Sequence, residues 1–185
     1  MTSPARRERF EAIAADVVDP LRRFLVRRTD AATADDVLAD VLLVCWRRVD
    51  DVPADPLPWA YGVARRCLAN HERGQRRQRR VAGRVATLDP PAETVPAADD
   101  DAGAAVRDAL ATLPERDAEL LRLWAWEQLT PAEIAVVLDI TANAASIRLH
   151  RARAKLRAAL ETSATLRRKS GAGAGHEEST EGRTP

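Results

Sequence analysis

One stretch limits what this chain can fold into more than any other: LTPAEIAVVLDITANAASIRLHRARAKLRAAL, residues 129–160. Thr130 is followed by Pro131 and, three places after the threonine, by Glu133. That is a capping box with proline at the first helical position, so a helix starts at Thr130. It buries Ile134, Ala135 and Leu138 and ends at Asp139, a residue able to enter the left-handed region at a turn. Thr141 then caps a second helix that runs to about Leu160. Two short helices joined this way are a helix-turn-helix.

The second helix has two distinct sides. Ala145, Leu149, Ala152, Leu156 and Ala159 fall at steps of four and three and form one apolar stripe. At ~100° per residue, Asn143, Ile147, His150 and Arg151 point the other way. Ser146, Arg153 and Arg157 flank them on one edge, Arg148 and Lys155 on the other. Short side chains near the start of a helix suit base edges in a major groove, and basic groups around them suit phosphates. Ile147 has two readings: contact with a thymine methyl, or packing against a neighbouring helix. Upstream, a supporting helix begins at Pro114 with Leu120, Leu121 and Trp124 as its core face, and a shorter one spans Arg107 to Leu113.

Charge is distributed unevenly. The chain has 29 basic and 28 acidic residues, so a basic recognition helix must be balanced by acid elsewhere. Residues 30–55 are acidic. Residues 65–84 hold Arg65, Arg66, Arg73, Arg76, Arg77, Arg79, Arg80 and Arg84 against Glu72 alone. LDPPAETVPAADDDAG, residues 88–103, is acidic, proline-rich and aperiodic, and reads as a linker. The last basic block runs from Arg148 to Lys169, before a Gly/Ala/Ser/Glu tail expected to be disordered. Two basic blocks about an acidic linker suggest two modules that each meet a polyanion. Alanine-rich, Arg-rich composition with few β-branched runs favours helix throughout. The expected fold is therefore all-α: two small helical domains joined by a flexible acidic Pro-rich linker.

The first module begins with one or two helices over residues 5–28, with Phe10, Ile13, Val17, Leu21, Phe24 and Leu25 at helical spacing and Pro20 as a break. In TADDVLADVLLVCWRRVD, Thr33 is the natural cap, and Asp35 and Asp36 suit the positive helix end. Val37, Val41, Val44 and Cys45 form a buried face. Asp36, Asp40, Leu43 and Arg47 form a second, mixed face, either a partner surface or one covered within its own domain. After the loop DDVPADPLP comes WAYGVARRCLANHERGQRRQRR. Its inner stripe is Ala60, Val63, Ala64 and Cys67; Arg66, Arg73, Arg77 and Arg80 line the other side, with Asn70 near their edge. Gly74 weakens this helix and lets its end fray, and Trp59 at its start packs into the core.

Several function classes are disfavoured. No stretch approaches the ~20 consecutive apolar residues of a membrane span, and the N-terminal residues do not read as a signal peptide. Cys45 and Cys67 lack metal-ligand spacing and read as small buried hydrophobes in a reducing cytoplasm. His71, His150 and His176 are scattered, and GAGAG at 171–175 follows no strand, so no catalytic residue, metal or cofactor is expected.

In order and spacing, ADDVLADVLLVCWRRVD, P-x-WAYGVARRCLANHERGQRRQRR, the Pro-rich linker, LP-x-x-D-x-x-LLRL and LTPAEIAVVLDI-x-x-NAASIRLHRARAKL together resemble the bacterial extracytoplasmic-function sigma factors. The resemblance covers about residues 8–160. It implies sigma region 2 at residues 1–84, a flexible linker at 85–103, sigma region 4 at 104–162 and a disordered tail at 163–185. It implies core RNA polymerase as partner, through the clamp helices of its largest subunit and its flap, with Asp36, Asp40, Leu43 and Arg47 on the polymerase-binding face. Arg66, Asn70, Arg73, Arg76, Arg77 and Arg80 would meet the minus-ten element, and the loop from Asp50 to Pro58 would capture a flipped base. Asn143, Ser146, Ile147, Arg148, His150, Arg151 and Arg153 would meet the minus-thirty-five element. The family catalyses nothing itself, works in the cytoplasm and is often held by an anti-sigma factor. Its linker threads near the RNA path, where acid could imitate a transcript; a solvated spacer is the other reading. Departures such as Ser146, Ile147, Ala39 and Arg66 bear on which promoter is read. The competing interpretation is a helix-turn-helix transcriptional regulator without sigma activity, which leaves the second basic helix unexplained.

Overall fold

The computed structural model describes residues 3–82 and 101–172, with side chains at 3–79 and 103–165. Every regular element among them is helical: α1 (Ser3–Val26), α2 (Ala31–Arg47), α3 (Pro56–Ala82), α4 (Asp101–Ala111), α5 (Glu115–Ala125), α6 (Pro131–Leu138) and α7 (Ala142–Ala172), with a 3-10 turn at Val49–Asp51. The expected linker lies outside the described residues apart from the start of α4, as does the end of the expected tail. The chain divides into two compact units, Met1–Ala97 with Arg122–Ile147, and Ala98–Leu121 with Arg148–Pro185.

In the first unit α1, α2 and α3 pack on one another. Val17, Leu21, Phe24 and Leu25 of α1, Val37, Val41 and Cys45 of α2, and Ala60 and Ala64 of α3 are fully buried. This burial explains why Pro20 does not break α1, contrary to the expectation from sequence: the helix runs through it from Ser3 to Val26. Four large side chains around the proline contribute about 1.5–3 kcal/mol each, which outweighs the ~3 kcal/mol an internal proline costs. The cap of α2 also differs from expectation. Asp30, not Thr33, caps it, and its carboxylate accepts from the Thr33 N–H at 2.9 Å. That hydrogen bond holds the Asp30 carboxyl below its ordinary pKa, and Thr33 itself is buried.

Two arginines of α1 fasten the far end of α2. Arg6 Nη2 donates to the Trp46 carbonyl at 2.8 Å and stacks over the Trp46 ring, 5.1 Å from its centroid. Arg9 donates from Nε to the Val49 carbonyl at 2.9 Å and from Nη2 to the Val52 carbonyl at 2.8 Å. Carbonyls at and beyond a helix C-terminus lack intrahelical partners, so these arginines fix the turn that leads into α3. That helix starts at Pro56, earlier than Trp59, and continues past Gly74 to Ala82 without ending there. Trp59 is half-buried, with the Arg48 guanidinium 5.9 Å from its ring centroid.

The same unit contains α6, which lies against α3. Gly62 sits at this contact: a β-carbon there would stand a tight 3.3 Å from the Val137 carbonyl oxygen and 3.6 Å from the Val137 Cα. On α6 the buried residues are Ile134, Ala135 and Val137, while Leu138 is only half-buried.

In the second unit, Ala109, Leu110, Ala118, Leu120 and Leu121 are buried, as are Leu149 and Ala152 of α7. Lys155 donates to the Asp117 carboxylate at 2.5 Å. Here α4 begins at Asp101, ahead of the expected Arg107, and α7 continues to Ala172 rather than ending near Leu160.

Candidate nucleic-acid interface

The helix-turn-helix is built as its sequence dictates. Thr130 Oγ1 accepts from the Glu133 N–H at 3.3 Å, and Glu133 Oε2 accepts from the Thr130 N–H at 2.7 Å, closing the capping box. Asp139 ends α6 in the left-handed conformation, at φ 55° and ψ 52°. The Thr141 hydroxyl then accepts from the Ala144 N–H at 3.1 Å and caps α7. Along α7, Ala145, Leu149 and Ala152 are buried, and Leu156 and Ala159 half-buried, so the apolar stripe falls where its spacing placed it.

The opposite side is open. Asn143, Ser146, Ile147, Arg148, His150, Arg151 and Arg153 are all exposed. Ile147 is 45% exposed, so of its two readings, packing against a neighbouring helix is the one the geometry disfavours. Neutral Asn143, Ser146 and Ile147 precede Arg148 and Arg151 on this surface, which leaves short groups free for base edges and guanidinium groups for phosphates.

A second basic surface lies on α3, where Arg66, Asn70, Arg73, Arg76 and Arg77 are exposed. Arg80 belongs to the same helix, and its side chain lies outside the described ones. Three of the arginines are tied to their own helix. Arg66 Nε donates to the Gly62 carbonyl at 3.2 Å, Arg73 Nη2 to the Asn70 side-chain oxygen at 2.6 Å, and Arg76 Nη2 to the Glu72 carboxylate at 3.0 Å. Such contacts at i, i+3 and i, i+4 hold the guanidinium groups in register along the helix.

On α2, Asp36, Asp40, Leu43 and Arg47 are exposed together, with Leu43 44% and neighbouring Trp46 37% exposed. The inner face holds Val37, Val41 and Cys45, and Val44 is half-buried. A face with both carboxylates and a bare leucine matches protein recognition better than water or phosphate. Cys45 and Cys67 are free thiols, Cys45 buried as expected and Cys67 only half-buried; burial pushes both above their ordinary pKa.

Sequence reasoning misplaced Trp124. It is 38% exposed, and Leu123, fully buried, takes the core position one step earlier on α5. Reasoning from sequence also missed Arg6, Arg9, Arg27 and Arg28. Each acts on residues far along the chain, and no local spacing signals that.

Residues 103–156 match the family model described as Sigma-70, region 4. No curated protein matches the chain. Solved structures match over most of its length. The sigma factor RpoE from Bartonella quintana, in complex with the anti-sigma factor NepR, is 20% identical with a TM-score of 0.58, covering 82% of this chain and 96% of that one. The PhyRSL–NepR complex from Sphingomonas sp. Fr1 is 18% identical with a TM-score of 0.54, covering 94% and 95%. CnrH, in complex with the cytosolic domain of CnrY, is 22% identical with a TM-score of 0.52, covering 83% and 88%. The helix-turn-helix thus matches Sigma-70 region 4, and most of the chain shares its fold with these solved structures.

Proposed function

We propose that this chain binds core RNA polymerase, directs it to specific promoters and supports their opening, with residues 1–84 as region 2, 85–103 as linker, 104–162 as region 4 and 163–185 as a tail. The observation that carries this reading is a region 4 match at residues 103–156 in a chain that also exposes an arginine face on α3 and a mixed face on α2. A regulator using only its helix-turn-helix has no use for the other two faces.

In this reading Asp36, Asp40, Leu43 and Arg47 dock on the clamp helices of the polymerase's largest subunit, and region 4 meets the flap. The α3 residues Arg66, Asn70, Arg73, Arg76, Arg77 and Arg80 engage the minus-ten element. There a base leaves the stack at a cost of a few kcal/mol, recovered through pocket contacts and phosphate neutralisation. Loop 50–58, held at its start by Arg9, is the pocket's place. Asn143, Ser146, Ile147, Arg148, His150, Arg151 and Arg153 read the minus-thirty-five element. The protein works in the cytoplasm, without catalysis of its own, and no helix among the described residues is long and apolar enough to cross a membrane. Because RpoE is solved with an anti-sigma factor, a partner of that kind is proposed here too.

Run-off transcription from pooled promoter fragments of the source genome, with bacterial core polymerase, tests the proposal. Specific transcripts are expected only when the protein is present. Arg151→Ala should cut transcript yield while leaving polymerase binding intact, and Asp40→Ala should weaken polymerase binding with DNA contacts unchanged. Wild-type yield from both variants would refute the site assignments, and no new transcript with folded protein and cognate core would leave a regulator.

A further inference from the structure

Glu127 occupies an unusual position. It lies in the turn between α5 and α6, which Gln128 enters with φ 55°, and its side chain is only 2% exposed. Its carboxylate accepts from Arg27 Nη2 at 2.5 Å and from Arg28 Nη1 at 3.2 Å, both a hundred residues away at the end of α1. Arg27 also stacks on Trp126, 6.0 Å from the ring centroid. Arg28 sits 3.7 Å over the Phe24 ring, which in turn packs on Tyr61 at 5.0 Å. Burial, with the Glu127 charge second, pushes the Tyr61 hydroxyl up to about 12, and α3 meets this cluster through the contact of Tyr61 with Phe24. A second contact lies further along, where the Val137 backbone rests on Gly62.

The consequence concerns reach. The α3 arginines and the first turn of α7, with Asn143, Ser146 and Ile147, belong to one compact unit of about 120 residues. A unit of that length has a radius of gyration near ~14 Å, hence a diameter of about 35 Å. Minus-ten and minus-thirty-five elements lie roughly 25 base pairs apart, or about 85 Å at ~3.4 Å per base pair. One compact unit cannot lay both helices on both elements.

We propose that Glu127, seated between Arg27 and Arg28, is a latch that holds the free protein in a closed form, and that polymerase and promoter binding requires its release. This rests on the sigma reading above. A breakable ion pair suits the task. Removing one partner of a buried pair leaves an uncompensated charge, so losing either side strongly destabilises the closed contact. While closed, the protein binds core polymerase with an affinity lowered by the fraction of molecules that are open.

Three variants of the full chain test this. Glu127→Arg removes the latch; Gly62→Leu wedges α6 from α3 with no change of charge; Glu127→Arg/Arg27→Glu/Arg28→Glu restores the pair with its charges exchanged. Small-angle scattering of the free protein reads compactness, circular dichroism reads helix content, and titration of core polymerase reads the cost of opening. The first two variants should keep wild-type helix content, show a larger radius of gyration and half-saturate core polymerase at a concentration lower by on the order of tenfold. The exchanged variant should return to wild-type compactness. Single variants as compact as wild type would overturn the latch, and so would an exchanged variant as expanded as Glu127→Arg. Should Glu127→Arg lose helix content, the exchanged variant decides: recovery of helix and compactness upholds the pair, and failure to recover sinks it. Expansion with unchanged polymerase affinity would overturn the inhibitory role. If the sigma reading itself is wrong, no variant binds core polymerase, while scattering still reports the latch.

Discussion

Helices α3 and α7 are both rich in arginine, yet they present it differently. On α3 the exposed positions 66, 73, 76 and 77 are arginines, three of the four anchored to carbonyls or side chains of the same helix. On α7 the exposed positions of the first turns include Asn143, Ser146 and Ile147, and cations come after them. A ladder of ordered guanidinium groups neutralises phosphates whatever the sequence; a mixed surface with short neutral groups distinguishes one base edge from another. In the proposed function one helix supplies grip and the other choice, and mutation can break this division of labour.

The largest effect is expected on the gripping side. Arg73→Ala/Arg76→Ala/Arg77→Ala should weaken binding of a minus-ten fork by the holoenzyme on the order of a hundredfold near physiological salt. It should also flatten the dependence of log K on log salt by about 2, at ~0.7 for each single-strand phosphate that is no longer neutralised. A titration across salt concentrations measures both. The loss should be alike for every sequence; a loss confined to certain bases would show that α3 reads as well as grips.

On the reading side the effect is smaller and selective. Ile147→Ala should cost about 1 kcal/mol of discrimination at one base pair, roughly fivefold, with binding to unrelated duplex and the salt slope both unchanged. Binding to a set of duplexes substituted at single positions checks this. A uniform loss across the set would place Ile147 in support of the helix rather than in the groove.

The contrast between the two helices was legible because both signals are local. Capping boxes, a stripe at steps of three and four, and arginines at helical spacing each span a few residues, so Thr130, Glu133, Thr141 and the open side of α7 could be placed from sequence. Trp124 could not, because Leu123 and Trp124 both sit beside the apolar face of α5, and only tertiary packing settles which turns inward. Pro20 misled for the same reason: its cost is local, while the burial that offsets it comes from α2 and α3. The Asp30 cap was obscured by Thr33, another residue able to cap a helix three positions later. Least legible were Glu127 and its two arginines, since nothing near residue 127 announces partners at 27 and 28.

The smallest effect lies at the joint of the helix-turn-helix and tests whether the reading side depends on its entry angle alone. Asp139 holds φ 55°, a conformation that costs an L-residue roughly 1–2 kcal/mol, and less for Asp than for most. Glycine adopts it freely but loses more backbone entropy on folding, so the two effects oppose each other. Removing the exposed carboxylate from the negative end of α6 tips the balance slightly further toward glycine. Asp139→Gly should therefore stabilise the protein by about 0.5 kcal/mol and raise Tm by about 1–2 °C, measured by thermal denaturation. Base discrimination should be unchanged, because Asp139 sets the angle at which α7 leaves the turn and glycine permits that same angle. A loss of discrimination without loss of stability would mean that the Asp139 side chain itself takes part in reading, and α7 would then share that work with the turn before it.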